Sequence, residues 1–381
     1  MTTTGEPPPG IFLARPEPPP AAAAGRRLAV KDLFDTAGLV TTYGSAIFSD
    51  HVPTSTAEAV RRLEAAGYTT VGKTNLHEFA YGTTSQNPHF GTVPNPAAPG
   101  RVAGGSSGGS AAALAAGLAD VALGTDSGGS IRIPAACCAV VGFKPTFGLV
   151  PLDGCFPLAP SFDHAGPLAR DVGGCAVAMA ALVPGFEPAT LGSLEEIEIG
   201  VAWLEHADPL VRRRVEDAAA HAPRRRAVDP PLVESIWQTF MREVADVHRE
   251  LYTEHADLYS ENVAVKIERC LAVTDAEYEA ASRRRDEYRE RLSAALDGVD
   301  LLLTPTLPCV PPTADVDELT VRERLILFTS PLNAIGAPAI ALPCGPAEDG
   351  LPASVQLAGR PGADALVLGA AALLERALRR R

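Results

Sequence analysis

The sequence predicts an α/β fold, because segments with helical and strand-like patterns alternate along its first 150 residues. Residues 56–66 carry apolar side chains at helical spacing, and the β-branched stretch 68–72 follows them directly. The uncharged, Ala-rich run 110–118 predicts a helix buried on most sides, and 120–124 predicts a short buried strand. Residues 28–381 contain no internal repeat and no linker-like segment, which indicates a single domain.

The second half of the chain predicts exposed helices and two further strands. Residues 208–221 and 242–295 are rich in charged side chains, whereas 301–308 and 338–345 are apolar and end at Pro or Gly. Residues 1–27 instead contain the Pro-rich stretches GEPPPG and RPEPPP. Because proline does not fit the interior of a helix or a sheet, we expect a disordered tail there.

The composition predicts a globular, cytoplasmic protein of a size that is common among enzymes. Hydrophobic residues make up 46% of the chain and the formal net charge is −13, so neither nucleic acid nor an anionic membrane surface is an expected partner. No apolar run reaches the roughly 18–20 residues that a membrane helix requires, and the N-terminus lacks a signal-peptide pattern. The seven cysteines show no CxxC pair, so we expect reduced thiols.

Two loops rich in Gly and Ser carry the strongest functional signal, GGSSGGS at 104–110 and GTDSGGSIRIP at 124–134. Small residues let the backbone approach a ligand and leave N–H groups free, which suits the stabilisation of an oxyanion in acyl transfer. A serine nucleophile also needs a base, and none of the eight histidines lies in or beside either loop. Of the four lysines, Lys31 follows the apolar stub LAV, where burial is expected to lower its pKa toward neutrality.

These loops, together with VKD at 30–32, resemble the motifs of the amidase signature family. The supporting pieces are GKTNLHEF, VGFKPTFGLVP, SFDHAGPLARDV and LPASVQLAGRP. The resemblance covers about residues 28–375. It implies a single α/β/α domain with a large mixed sheet flanked by helices, and an enzyme that hydrolyses a carboxamide to a carboxylic acid plus ammonia or an amine.

The resemblance implies a Ser–Ser–Lys triad. Ser130 would attack the carbonyl carbon, Ser106 would relay the proton after a cis Gly105–Ser106 peptide, and neutral Lys31 would be the base. Water would then hydrolyse an acyl–Ser130 intermediate. Neither a metal nor a cofactor is required by this scheme.

The resemblance also assigns residues around the triad. The implied oxyanion hole consists of four consecutive backbone N–H groups, those of Ser127, Gly128, Gly129 and Ser130. The implied supports of the two loops are Asp126, Ser107 and Arg132. The candidates for the acyl pocket are Ala80, Tyr81, Phe156 and Pro157.

The sequence is compatible with several hypotheses about the function. A glutaminase-type subunit of an aspartyl/glutamyl-tRNA amidotransferase is the main competitor within the family, although the Tyr-rich middle segment expected of it is missing. The same triad also serves ester or carbamate hydrolysis, or acyl transfer. The expected partner is a small-molecule amide, and a homodimer is one option for the assembly. Two departures from the family pattern predict a difference in one wall of the cleft or in an oligomer surface: only the Pro-rich tail precedes Lys31, and residues 186–232 are abbreviated.

Three other features of the sequence have both a functional and a structural interpretation. Residues 67–74 fit the G-x-x-x-x-G-K-T pattern of a nucleotide-binding loop, but a strand is predicted inside the supposed loop, so we interpret the match as coincidence. His164 is interpreted as an oriented structural histidine, since the triad leaves it no role. Cys137 and Cys138 have apolar neighbours, which indicates packing rather than nucleophilic chemistry.

Overall fold

The computed structural model describes residues 8–18, 25–347 and 350–380, and it confirms the predicted α/β class. One mixed sheet of eleven strands runs through the described part of the chain in the spatial order β1-β3-β2-β4-β6-β5-β10-β11-β9-β7-β8. The strands are β1 (Phe12–Ala14), β2 (Arg26–Lys31), β3 (Tyr68–Thr74), β4 (Val121–Asp126), β5 (Val141–Lys144), β6 (His164–Ala169), β7 (Ile199–Val201), β8 (Arg225–Ala227), β9 (Leu301–Pro305), β10 (Ala339–Pro346) and β11 (Pro352–Ala358).

Helices cover both faces of this sheet. They are α1 (Glu58–Ala65), α2 (Gly108–Ala115), α3 (Arg132–Cys137), α4 (Val172–Leu182), α5 (Pro209–Ala219), α6 (Trp237–His255), α7 (Glu261–Leu271), α8 (Asp275–Ala295), α9 (Glu318–Ile326), α10 (Ser330–Ala334) and α11 (Asp364–Leu378). Successive residues of β2 show the two layers, because a strand points alternate side chains to opposite faces. Leu28 and Val30 pack into the core that holds α1 and α4, whereas Ala29 packs against the Ala-rich α2.

The predicted elements are largely present. The Ala-rich helix and the strands that begin near residues 68, 120, 301 and 338 form as expected. The charge-rich stretch predicted as helical over 242–295 is divided into three helices, α6 to α8. Among the described residues, no helix is both long and apolar enough to cross a membrane.

The structure departs from the predicted disordered tail. Phe12–Ala14 forms an edge strand that pairs antiparallel with β3, and Ile11 beside it is fully buried. The reason is the short apolar run IFLA between the two Pro-rich stretches, which supplies enough apolar surface to anchor this part of the chain. The rest of the predicted tail at 1–7 and 19–24 lies outside the described residues.

The topology brings three strand ends together. Strands β3, β2 and β4 are parallel neighbours, so their carboxyl ends lie at the same edge of the sheet. Ligands of α/β proteins bind at this kind of edge. Lys31 is the last residue of β2 and Asp126 is the last residue of β4, which places both beside the loops that precede α2 and α3.

Candidate active site

Lys31 is fully buried at the end of β2. Its Nζ lies 2.7 Å from Ser106 Oγ and 2.7 Å from Thr125 Oγ1. Burial lowers the pKa of Lys31 from 10.5 to about 7, against the smaller opposing effect of nearby acidic groups such as Asp126 and Asp163. A lysine with this pKa is substantially neutral near pH 7 and is able to accept a proton.

The other three lysines are also buried, but their surroundings differ from those of Lys31. Lys73 forms an ion pair with Asp32 at 3.1 Å, and Lys266 forms one with Glu318 at 3.2 Å. Lys144 donates to two backbone carbonyls. Within the part of the chain that the structure describes, the hydrogen bonds of the Lys31 amine go only to hydroxyl groups, and no carboxylate lies within ion-pair distance of it.

The position of Lys73 shows whether residues 67–74 form a nucleotide-binding loop. Residues 68–74 form the strand β3, so no phosphate-cradling loop exists there, and the Lys73 ammonium faces Asp32 inside the core. The match is a coincidence, as the strand pattern predicts.

The loop before α2 holds Ser106 rigidly. The Gly105–Ser106 peptide is cis, as the resemblance implies. A Cβ on Gly105 would lie 2.8 Å from Ser85 N, so only glycine fits there. The Ser106 carbonyl accepts hydrogen bonds from His77 N–H and from Ser85 Oγ, each at 3.2 Å. The N–H of Ser107 donates to the Ser130 carbonyl at 3.2 Å, which ties this loop to the second one.

The turn after β4 is built around an ion pair without solvent exposure. The Asp126 carboxylate accepts hydrogen bonds from the Arg132 guanidinium at 3.0 and 2.9 Å and from Asn333 Nδ2 at 2.8 Å. Burial would raise the pKa of Asp126, but Arg132, Lys144 and the hydrogen bond from Asn333 together outweigh it, and the net effect is a pKa far below the usual range. Arg132 in turn donates to the side chain of Gln356 on β11. These contacts tie the turn after β4 to α10 and β11.

This turn leaves backbone donors free at Ser130. Among the described residues, the N–H groups of Ser127, Gly128 and Ser130 have no hydrogen-bond acceptor. The N–H of Gly129 is different, because it donates to Asp126 Oδ1 at 2.8 Å. Three free donors therefore remain where the resemblance implies four. Ser130 is 8% exposed, in contrast to the fully buried side chain of Ser106.

Gly129 is required by the shape of the turn. Its φ is +137°, and a Cβ there would lie 2.3 Å from Thr329 Oγ1. Thr329 also donates to the Gly128 carbonyl at 2.6 Å, which fixes the peptide planes that aim the free N–H groups.

We expect Asp126→Asn to destabilise the protein by about 3–5 kcal/mol, because it leaves the Arg132 charge buried without a counter-charge. Asp120 is a matched control just before the other end of β4, since it pairs with Arg27 and Arg170 but keeps a side chain that is 31% exposed. Asp120→Asn should cost at most about 1 kcal/mol. Equilibrium unfolding in urea measures both variants, and equal losses would contradict this account.

Three of the four predicted pocket residues line two different cavities. A cavity of about 150 Å³ is lined by Phe156 and Pro157 together with Thr125 and Ser127, so it adjoins the Lys31 side of the site. Tyr81 lines a second cavity of about 220 Å³ on the side of α9. Ala80 is buried beside Tyr81 and lines neither of these cavities.

Sequence reasoning missed several residues that hold the site. Thr125 contacts the Lys31 amine. Asn333 and Thr329 hold the turn after β4. The Asp163 carboxylate accepts a hydrogen bond from Ser127 Oγ at 2.5 Å. Burial raises the pKa of Asp163 to about 6. Asp163 lies in a motif that carries the resemblance, SFDHAGPLARDV, but nothing local in the sequence indicates that its carboxylate faces Ser127.

The three residues interpreted as structural, His164, Cys137 and Cys138, are all buried. His164 Nδ1 faces the carbonyls of Phe162 at 2.7 Å and Asp126 at 3.1 Å, and burial lowers its pKa well below the usual range. Cys137 and Cys138 are buried. Burial raises the pKa of the Cys137 thiol well above its usual range, which disfavours the thiolate needed for nucleophilic chemistry.

Comparison with known proteins shows one family. The family model described as Amidase matches residues 16–368. The chain is 36% identical to the GatA subunit of glutamyl-tRNA(Gln) amidotransferase from Haloarcula marismortui, over 88% of this chain and 91% of that protein. It is also 36% identical to AtzE, a subunit of 1-carboxybiuret hydrolase from Pseudomonas sp. (strain ADP), over 92% of this chain and 84% of that protein. A crystal structure of an amidase superposes with a TM-score of 0.84 at 37% identity, covering 93% of this chain and 86% of the other.

These similarities, with the mixed sheet and its flanking helices, define the class of the protein as an amide-hydrolysing enzyme. The chain belongs to the amidase signature family, as its motifs predict.

Proposed function

We propose that the enzyme hydrolyses small-molecule carboxamides through Ser130, Ser106 and Lys31. The observation that carries this proposal is the position of the Lys31 amine, buried and 2.7 Å from Ser106 Oγ without a carboxylate to hold its proton. The pKa of about 7 supports a base that is neutral under ordinary conditions.

The first half of the reaction forms an ester. Ser106 Oγ accepts the proton of Ser130 while its own proton passes to Lys31 Nζ, and Ser130 Oγ bonds to the carbonyl carbon of the amide. The carbonyl oxygen becomes an oxyanion, which the free N–H groups of Ser127, Gly128 and Ser130 stabilise. When the tetrahedral intermediate collapses, the C–N bond breaks. Ser106 then gives its proton to the leaving nitrogen and takes one from Lys31.

The second half of the reaction reverses the roles. A water molecule gives a proton through Ser106 to Lys31, and its oxygen attacks the ester carbon. The carbon–Oγ bond breaks, and Ser130 recovers its proton. Each proton that Lys31 accepts is returned, so the products are a carboxylic acid and ammonia or an amine.

A fluorophosphonate probe tests the proposed nucleophile directly. We expect one adduct per chain in intact-mass analysis. Trypsin cleaves after Arg101 and Arg132, so Ser106 and Ser130 fall in one peptide, and fragmentation of that peptide should place the adduct on Ser130. Ser130→Ala should abolish the adduct, whereas Ser49→Ala, on the exposed surface, should retain it. An adduct on Ser106, or none on a folded protein, would contradict the proposal.

A glutaminase of the amidotransferase type is the second candidate, because the similarity to the GatA protein is as high as that to the hydrolase AtzE. The two candidates share the triad and differ in substrate and assembly. Turnover of L-glutamine that requires a copurifying partner chain would favour the glutaminase. Turnover of other amides by the chain alone would favour the independent amidase.

A further inference from the structure

The second cavity carries an unusual set of charges. It lies between Tyr81 and the helices α6, α7 and α9, and its apolar walls are formed by Trp237, Phe240, Met241, Leu319 and Ile326. Its charged lining consists of three cations and one carboxylate: Lys266, Arg269, Arg322 and Glu323. A cationic cavity is notable in a protein whose formal net charge is −13.

Arg322 is the central cation of this cavity. Its guanidinium carbon lies 5.1 Å from the centre of the Tyr81 ring. The Tyr81 hydroxyl and the Glu318 carboxylate both interact with it, although in the described part of the chain no carboxylate lies within ion-pair distance. Arg324, two residues further along α9, forms an ion pair with Asp208 instead. Lys266 is satisfied by Glu318 at 3.2 Å and by the Tyr81 carbonyl. A guanidinium has five N–H donors, so Arg322 keeps donors for a ligand in addition to its contact with Tyr81.

Arg269 adds a second cation of the same kind. It is exposed on α7 at the edge of the cavity, and among the described residues it has no ion pair. Guanidinium groups bind carboxylates with two parallel hydrogen bonds, and stacking on an aromatic ring holds a guanidinium in place for such a contact. Two guanidinium groups above an apolar wall match a ligand with an apolar body and an anionic end.

Residues beside the cavity contact both catalytic loops. Tyr81 is followed two residues later by Thr83, whose carbonyl carbon would lie 2.9 Å from a Cβ on Gly105, next to Ser106. On the opposite side, Thr329 Oγ1 contacts the carbonyls of both Ile326 and Gly128, at 3.3 and 2.6 Å. Residues next to the cavity lining, Thr83 and Thr329, thus contact the Ser106 loop and the turn that carries Ser130.

We propose that this cavity binds a carboxylate of the substrate, and that the preferred substrates are amides whose acyl part is a short aliphatic chain ending in a carboxylate. The inference rests on the proposed function, since it assigns the substrate class of the same site. The apolar walls take the chain, and Arg322, assisted by Arg269, takes the carboxylate. A volume of about 220 Å³ suits a small acyl group.

Matched pairs of amides test this assignment. The monoamides of succinic, glutaric and adipic acid are each compared with the amide in which a methyl group replaces the carboxylate, namely butanamide, pentanamide and hexanamide. We expect kcat/KM to be at least about tenfold higher for the carboxylate member of one or more pairs, because a hydrogen-bonded charge pair contributes on the order of 1.5–3 kcal/mol, which corresponds to roughly 10–150-fold.

Variants of residues on α9 test whether Arg322 is responsible for the preference for the carboxylate. Arg322→Gln should lower kcat/KM for the preferred carboxylate about 10–100-fold and leave its methyl counterpart within about twofold. Arg322→Lys should recover part of the loss, since it restores the charge without the bidentate geometry. Arg324→Gln is the matched control on the same helix and should retain the preference. If Arg322→Gln fails to fold, Arg269→Gln on the exposed rim replaces it with the same expected direction.

Two kinds of failure are distinguishable. Wild-type hydrolysis of the methyl members at equal or higher kcat/KM, with an adduct on Ser130, would overturn the carboxylate site and leave the proposed amidase intact. An unchanged preference in both Arg322→Gln and Arg269→Gln would also overturn it. No hydrolysis of any pair, with no adduct on Ser130, would remove the proposed function and this inference together.

Discussion

Ser130→Ala should lower kcat for amide hydrolysis by on the order of 10⁴–10⁶-fold and leave the protein folded. The reason is that the reaction then loses its covalent route, and the remaining groups only bind the amide and polarise its carbonyl. The Ser130 side chain makes no hydrogen bond to the described residues, so its removal should hardly affect stability. The measurement is single-turnover and steady-state kinetics on the best amide, with thermal unfolding as the check on folding.

Ser106→Ala is the informative comparison for this result. Its loss should also be large, about 10²–10⁴-fold, because the proton path to Lys31 is interrupted while the nucleophile is still present. Ser106 variants should therefore still form the ester slowly, whereas Ser130→Ala should not form it at all. Activity of Ser130→Ala above about one hundredth of the wild type would assign the nucleophile to another residue.

The chemistry of the site was predictable because it is concentrated in local patterns. The two Gly/Ser loops are short in sequence and dense in small residues, and Lys31 follows an apolar strand. Each of these features is readable without tertiary structure. The alternation of helices and strands likewise indicated the α/β class, because a period of two or of 3.6 residues is visible in the sequence itself.

The supports of the site were less predictable because they come from distant segments. Asn333 and Thr329 lie about 200 residues after the turn that they hold, and their contacts depend on the docking of α10 against β4. Gly129 was expected to donate to an oxyanion, but its N–H serves Asp126. That difference follows from the peptide orientation in one turn, which residue types alone do not determine.

The cationic cavity was not predictable from local sequence patterns. Arg322 belongs to α9 and Arg269 to α7, and charged residues on a helix ordinarily face solvent. Only the packing of both helices beside Tyr81 brings these cations together. The edge strand Phe12–Ala14 was missed for a related reason, because four apolar residues between proline-rich stretches gain their stability from pairing with β3.

Lys31→Met and Lys31→Arg should both lower kcat/KM for amides by about 10²–10⁴-fold, and together they separate the charge of Lys31 from its basicity. Methionine fills the buried space without a charge. Arginine keeps the positive charge but is not deprotonated in proteins, so it is unable to accept the proton from Ser106. Retention of activity in Lys31→Arg would mean that the cation, and not the neutral amine, is what the reaction uses.

The pH dependence of kcat/KM for the wild-type enzyme also tests whether Lys31 is the base. Because burial lowers the pKa of Lys31 to about 7, kcat/KM should be low at pH 5, rise with pH through a midpoint near 7, and level off as the amine becomes neutral. Asp163, with a pKa of about 6, would give an earlier rise, but that rise should persist in Lys31→Met, whereas the one near 7 should disappear. A wild-type profile that is flat from pH 6 to 9, or an unchanged midpoint in Lys31→Met, would rule out Lys31 as the base. If Lys31 accepts the proton, its own titration must set the midpoint near pH 7.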